Sequence, residues 1–148
     1  MVIDGSGLPS GFPAGGDDAS FAPFPVAHPI HWHGSDVVIL GQSTTAFDPV
    51  KSPKTWQFDN PPRRDVVVVP AGGYIAVAFR PDNPGAWLVH CHIAWHQSSG
   101  LALQMIVRGN DINSALGKEG LDQVRDGCKN WNADVAKGGI FDKDDSGI

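Results

Sequence analysis

Short apolar segments separated by turns dominate the middle of the chain. Residues 26–40 predict a strand, a turn at Gly34 and a second strand, and residues 66–70 and 74–80 predict two more strands. Residues 86–92 and 101–109 predict further strands, with a short helical turn between them at 93–100. Strands of this length joined by short turns are typical of a β-sandwich. The pattern therefore predicts an all-β sandwich of about six strands, which is incomplete because such sandwiches usually have about seven or more.

The flanking segments lack this pattern. Residues 1–25 are rich in Gly, Pro, Ser and Asp and predict an irregular lead-in, the remnant of a truncated domain. The spacing of Leu116, Leu121 and Val124 predicts a helix within residues 113–132. We therefore divide the chain into a lead-in at 1–25, a domain core at 26–112, and a C-terminal helix and tail at 113–148.

Composition narrows the class of protein. The 148 residues carry a net charge of −5, which argues against a nucleic-acid partner because such partners normally need a basic patch. No apolar run approaches the roughly 20 residues of a membrane span, so we expect no membrane partner. The first residues lack the features of a signal peptide, so either the protein is cytosolic or Met1 is not the true N-terminus of the gene product. The two cysteines are too few to define a disulfide scaffold.

The six histidines lie in two short stretches, HPIHWH at 28–33 and HCHIAWH at 90–96. Because successive side chains of a strand point to opposite faces, these stretches sort into two groups. One group contains only imidazoles, from His31, His33, His90 and His92. The other contains two imidazoles and a thiolate, from His28, Cys91 and His96.

The mixed group has the ligand set of a blue-copper electron-transfer site. Leu101 follows the turn at Gly100 and would face the axial position, where it cannot ligate a metal. The all-imidazole group suits copper that binds oxygen species. Two alternatives remain open: three or four such side chains can hold structural zinc, and the histidines can be surface or core residues without a metal.

Cys91 is bonded through the backbone to both His90 and His92. An electron that reaches a copper at the thiolate would have a short covalent path to a second copper centre. These three residues are therefore the candidate catalytic residues. Trp87 and Trp95 flank this segment, and we expect both to pack and keep water from the metal.

Several motifs together resemble the C-terminal, third cupredoxin domain of an ascomycete-type laccase, a member of the multicopper oxidases. They are HPIHWHG, DNPPRRD, PAGG, FRPDNPGAWLVHCHIAWHQSSGL and the terminal DSGI. The resemblance implies a Greek-key sandwich of the cupredoxin type. It also implies that the family's reaction, oxidation of phenols and aromatic amines coupled to reduction of O2 to water, is the activity of the full-length protein.

The resemblance assigns the candidate ligands individually. It implies that His28, Cys91 and His96 bind type 1 copper, with Leu101 as the non-ligating axial residue. It implies that His31 binds type 2 copper, that His33 and His90 bind one copper of the binuclear type 3 pair, and that His92 binds the other. It further implies that the DSGI tail plugs a solvent channel.

The sequence departs from the family at some positions. Trp32 and Ser35 stand where the family usually has leucine and histidine. The family's trinuclear cluster needs eight histidines, of which this chain has four, so we expect the chain alone to be inactive. The resemblance implies partner domains on the N-terminal side, a disulfide to them through Cys128, and secretion of the full-length protein. The alternative is an isolated cupredoxin-like module that carries electrons or binds copper without oxidase activity.

Overall fold

A computed structural model describes residues 1–5, 26–98 and 100–138. Within these residues it contains eight strands and two α-helices. The strands are β1 (Val2–Asp4), β2 (His28–Trp32), β3 (Val37–Ser43), β4 (Arg63–Arg64), β5 (Val66–Val69), β6 (Tyr74–Ala78), β7 (Gly85–Cys91) and β8 (Ala102–Val107). The helices are α1 (Ala94–Ser98) and α2 (Ile112–Ala136), and short 3₁₀ helices lie at Ser52–Thr55 and Gly109–Asp111.

The strands form two antiparallel sheets of four. One sheet has the order β1-β6-β3-β4, and the other has the order β5-β2-β7-β8. The core contains inward-facing side chains from both sheets: Ile30, Trp32, Val37, Val67, Val69, Ile75, Val77, Val89 and Cys91. The predicted all-β sandwich is therefore confirmed.

The two histidine-bearing strands are neighbours in the middle of the second sheet. β2 pairs with β7 so that Ile30 lies opposite Cys91 and His31 lies opposite His90. Ile30 and Cys91 are buried in the core, whereas their chain neighbours His31 and His90 lie on the opposite face of the sheet. This register gives each face of the sheet its own set of donor atoms.

All six strands that the apolar pattern predicts are present, as β2, β3, β5, β6, β7 and β8. The pattern did not predict β1 or β4. β1 lies in the segment expected to be irregular, yet Val2–Asp4 pairs along β6. Residues 6–25 of the predicted lead-in and the DSGI tail lie outside the described residues.

The helix expected at 113–132 is longer than predicted and spans Ile112–Ala136, with a non-helical backbone at Gly117. None of its residues is buried, and Leu116, Val124 and Trp131 remain 44%, 55% and 59% exposed. Among the described residues, no helix combines the length and the apolar character that crossing a membrane requires.

We expect Gly73→Ala to destabilise the sandwich. An added Cβ at this position would overlap the backbone carbonyl oxygen of Ser43, and neither group can rotate away. Overpacking of this kind costs about 1–3 kcal/mol. Denaturant unfolding followed by circular dichroism measures the loss.

The matched control is Gly127→Ala on the exposed surface of α2. Its added Cβ would meet no atom within 4 Å, and alanine favours helix more than glycine does. This variant should lose no stability. Equal stability of the two variants would contradict the close approach of residue 73 to Ser43.

Candidate metal centres

The first candidate centre, which we call the thiolate group, contains His28, Cys91 and His96. Cys91 ends β7, His28 begins β2, and His96 lies on α1 immediately after β7. The Cys91 Sγ atom lies 3.5 Å from His96 Nδ1 and 3.7 Å from His28 Nδ1, and the two nitrogens are 3.1 Å apart. The sulfur is fully buried.

These distances fit one metal ion between the three atoms. Ligand bonds of about 2.0 Å to nitrogen and about 2.3 Å to sulfur, at angles of roughly 100–120°, separate the donor atoms by roughly 3.1–3.7 Å. A His₂Cys set with no strong fourth ligand is the arrangement of blue-copper sites. The donor chemistry and the spacing of this group therefore fit copper.

The backbone of Leu101 forms hydrogen bonds with two members of this group. Its N–H donates to the His96 carbonyl at 2.9 Å, and its own carbonyl accepts from the Cys91 N–H at 3.0 Å. These two bonds close the segment between β7 and β8 around the thiolate group. The Leu101 side chain is 43% exposed, and its axial role stays a prediction.

The second candidate centre, which we call the imidazole group, lies on the outer face of the same sheet. Donor nitrogens of His31, His33 and His90 all lie within 4.8 Å of one another. The Nε2 atoms of His33 and His90 face each other at 3.1 Å. The His92 ring lies 5.6 Å from that of His90 and 5.7 Å from that of His31, measured between ring centres.

Backbone carbonyls set which nitrogen of two rings is available. Nδ1 of His31 donates to the Asp65 carbonyl at 3.0 Å, and Nδ1 of His90 donates to the Cys91 carbonyl at 2.9 Å. Each bond holds a proton on Nδ1 and leaves Nε2 unprotonated, which is the form that can bind a metal. Hydrogen bonds of this type orient metal-binding histidines in proteins.

The two groups are separate, as the alternation of side chains along β7 predicts. The sulfur of Cys91 lies with His28 and His96, and the imidazoles of His90 and His92 lie with His31 and His33. Six of the seven candidate ligands therefore have donor atoms in one of two clusters, and the His92 ring lies beside the imidazole group.

Asp65 contacts His31 through its backbone carbonyl oxygen, and its carboxylate lies farther from His31 Nδ1, at 3.9 Å. Trp95 is 46% exposed and so excludes less water than expected. Trp87 lies against Gly34, at the far end of the pairing between β2 and β7. Sequence reasoning missed Asn83, which contacts both of these residues.

Crowding lowers the basicity of two imidazoles. Loss of hydration lowers the pKa of His28, and the nearby His96 lowers it further. Loss of hydration also lowers the pKa of His33, with further lowering from His31, His90 and His92. A neutral imidazole is the form that binds a metal, so the lowered pKa values favour binding at neutral pH.

Comparison with known proteins agrees with this geometry. The family model described as multicopper oxidase matches residues 18–111. Laccase-2 of Botryotinia fuckeliana is 49% identical over 125 residues, covering 84% of this chain and 21% of the relative. A laccase of Arthroderma benhamiae is 50% identical over 109 residues, covering 73% of this chain and 17% of the relative.

A solved structure gives the same result. The crystal structure of laccase from Botrytis aclada matches with a TM-score of 0.72 and 47% identity, covering 84% of this chain and 23% of that one. The fold and the two donor clusters define a cupredoxin-type copper domain. The chain belongs to the multicopper oxidase family, whose cofactor is copper, and the resemblance to ascomycete laccases is confirmed.

We expect the metal-free chain to lose stability as the pH falls below about 6.5, the ordinary imidazole pKa. Because the pKa of His28 is lowered only in the folded state, the unfolded chain binds more protons in the window just below this value. The free energy of unfolding therefore decreases as the pH falls through the window, and is retained above it. Denaturant unfolding at about pH 7.5 and about pH 5.5 measures the change.

His28→Gln is the matched variant because glutamine does not titrate. Its loss of stability between the two pH values should be smaller than that of the parent chain. An equal loss in both proteins would show that His28 does not contribute to the acid sensitivity.

Proposed function

We propose that this chain is the copper-binding third domain of a laccase-type multicopper oxidase. The supporting observation is the pair of donor groups on opposite faces of β7, joined through Cys91 itself. The sulfur belongs to one group, and the peptide bonds of the same residue lead directly to His90 and His92 of the other.

The proposed ligands follow the two groups. His28, Cys91 and His96 hold type 1 copper, with Leu101 at the non-ligating axial position. His31 holds type 2 copper, His33 and His90 hold one type 3 copper, and His92 holds the other. The short distances within the thiolate group and the unprotonated Nε2 atoms of His31 and His90 support this assignment.

Copper bound in these groups would supply the redox chemistry, accepting single electrons from phenols or aromatic amines and delivering four electrons to O2 to give two waters. The protein contributes the path between the groups. Besides the covalent route, the Cys91 carbonyl accepts a hydrogen bond of 2.9 Å from His90 Nδ1. This bond links the residue that carries the sulfur directly to an imidazole of the second group.

The imidazole group favours an oxidase over a simple electron carrier. A carrier needs only the thiolate group, and it has no use for four further histidines gathered on the opposite face. The convergence of His31, His33 and His90 indicates a second site that handles something other than electron transfer to a partner.

The chain spans about a fifth of the length of the curated relatives that it matches. We propose that the remaining ligands of the trinuclear cluster come from N-terminal laccase domains. Cys128 is exposed and unpaired in the described structure, which makes it available for a disulfide to such a domain. We propose that the full-length protein is secreted, as its laccase relatives suggest.

Cys91→Ser should abolish the thiolate-to-copper absorption of the copper-loaded chain, because a serine hydroxyl cannot replace the thiolate as the charge donor. Some copper should remain bound by the histidines. Visible absorption and metal analysis measure the two quantities. The matched control is Cys128→Ser, which removes the exposed cysteine and should leave the blue colour unchanged.

A blue colour that survives in Cys91→Ser, or that disappears in Cys128→Ser, would contradict the assignment of the thiolate ligand. The two variants carry the same chemical change, so general effects of removing a cysteine are matched.

The copper-loaded chain should be blue but should not consume O2 in the presence of a phenol. It supplies four histidines on the outer face, and the proposed cluster requires ligands from other domains. An oxygen electrode with a phenolic substrate provides the measurement. Steady O2 consumption by the chain alone would show that it forms a complete reactive site without partner domains.

A further inference from the structure

The turn that follows β2 is covered by a tryptophan. Gly34 comes directly after His33 and has a positive φ of 74°. A Cβ at this position would overlap the indole of Trp87 on the neighbouring strand β7. The indole therefore lies directly on the backbone of Gly34, an arrangement in which an aromatic side chain shields a glycine across a strand pair.

Two hydrogen bonds through Asn83 stabilise the contact between Trp87 and Gly34. The Trp87 indole N–H donates to the Asn83 carbonyl at 2.9 Å, and the Asn83 side-chain amide donates to the Gly34 carbonyl at 2.9 Å. A Cβ on Gly85, two residues before Trp87 on the same strand, would also lie 2.5 Å from the ring. The indole thus contacts two glycines, and its N–H is hydrogen-bonded to Asn83, the residue that also binds Gly34.

These contacts fix the backbone on both sides of His33. The His33 N–H donates to the Leu88 carbonyl at 2.9 Å, and the carbonyl of the next residue, Gly34, is the one that Asn83 binds. The His33 side chain is exposed, so burial does not hold it. Its Nε2 nevertheless lies 3.1 Å from that of His90.

We propose that Trp87 and Asn83 form a latch that positions His33 for metal binding in the imidazole group. The proposal rests on the proposed function, in which His33 is a copper ligand. Trp87 and Asn83 are positioning residues, because they act on the backbone next to His33. Without the latch, the segment after Trp32 would no longer be held against β7, and the distance between the Nε2 atoms of His33 and His90 would no longer be fixed.

The chain offers a matched control in its other sheet. Trp56 lies over Gly41 of β3, where an added Cβ would lie 2.5 Å from the indole Cδ1. The contact has the same chemistry as that of Trp87 with Gly34. Gly41 is not adjacent to a candidate ligand. Trp56→Leu therefore measures how the loss of a tryptophan–glycine contact affects the domain when no metal ligand is nearby.

The experiment titrates the purified 148-residue chain with Cu(II) and follows two signals. Visible absorption reports copper at the thiolate group, and electron paramagnetic resonance reports copper bound only by imidazoles. We compare Trp87→Leu, Asn83→Ala and Trp56→Leu with the parent chain. Removal of groups that orient a ligand typically lowers metal affinity by about 10- to 100-fold.

Trp87→Leu should lower the Cu(II) affinity of the imidazole group by about 10-fold or more. Asn83→Ala, which removes an exposed side chain and keeps the core intact, should lower it less. Both variants should retain the absorption of the thiolate group. Trp56→Leu should leave both signals unchanged at a temperature where it is folded.

A second measurement needs no metal. In the metal-free chain, nuclear Overhauser contacts between the His33 and His90 rings should be present in the parent and in Trp56→Leu. They should be lost in Trp87→Leu. Nuclear Overhauser contacts between the other aromatic rings of this variant show whether its sandwich is folded. Retention of the His33–His90 contacts in Trp87→Leu would overturn the latch.

The outcomes separate the latch from the proposed function. Parent-like affinity of the imidazole group in Trp87→Leu and Asn83→Ala would overturn the latch alone, as would an equal loss in Trp56→Leu. A parent chain that binds Cu(II) without any thiolate absorption would overturn the proposed function. The proposal that the latch positions a copper ligand would then be overturned with it.

Discussion

The pairing of β2 with β7 is the interaction on which both candidate centres depend. It places Ile30 opposite Cys91 and His31 opposite His90, so that the core face carries a sulfur and the outer face carries imidazoles. Side chains alternate along a strand with a period of two, and a slip of one residue would exchange the faces. Such a slip would move the buried Cys91 outward and an imidazole into an apolar core. The hydrophobic cost of that exchange therefore protects the separation of the donor groups.

The sequence predicted the parts of this arrangement that follow from local patterns. The six main strands and the division of the histidines depend on periodicity within a few residues, and the structure has both. β1 and β4 escaped prediction because they are short and become strands only through partners distant in the chain, β6 and β3. The contact of Trp87 with Gly34 also could not be predicted from local sequence. It depends on how β2 and β7 are aligned, and these strands are distant in the chain.

The two donor groups are held in different ways. His90 is buried, and its ring is bonded to the neighbouring peptide, so the sheet itself fixes it. His96 lies on α1, a helix of five residues with no buried side chain. It is held by the hydrogen bonds around Leu101 and by its closeness to Cys91. The thiolate group thus combines a rigid sulfur with an imidazole on a short connecting segment, and segments of this kind are the places where proteins adjust a site.

The position of both ligand stretches on paired strands has a consequence for how such a domain can change over time. Single substitutions alter one donor and leave the others in place. Insertion or deletion of one residue within 28–33 or 90–92 would instead turn the following ligands of the same extended stretch to the opposite face of the sheet. The segment between β3 and β4 carries no candidate ligand and connects strands whose register is set elsewhere. Differences in length among relatives are therefore expected to accumulate in that segment, leaving the spacing of the metal-binding residues under the strictest selection.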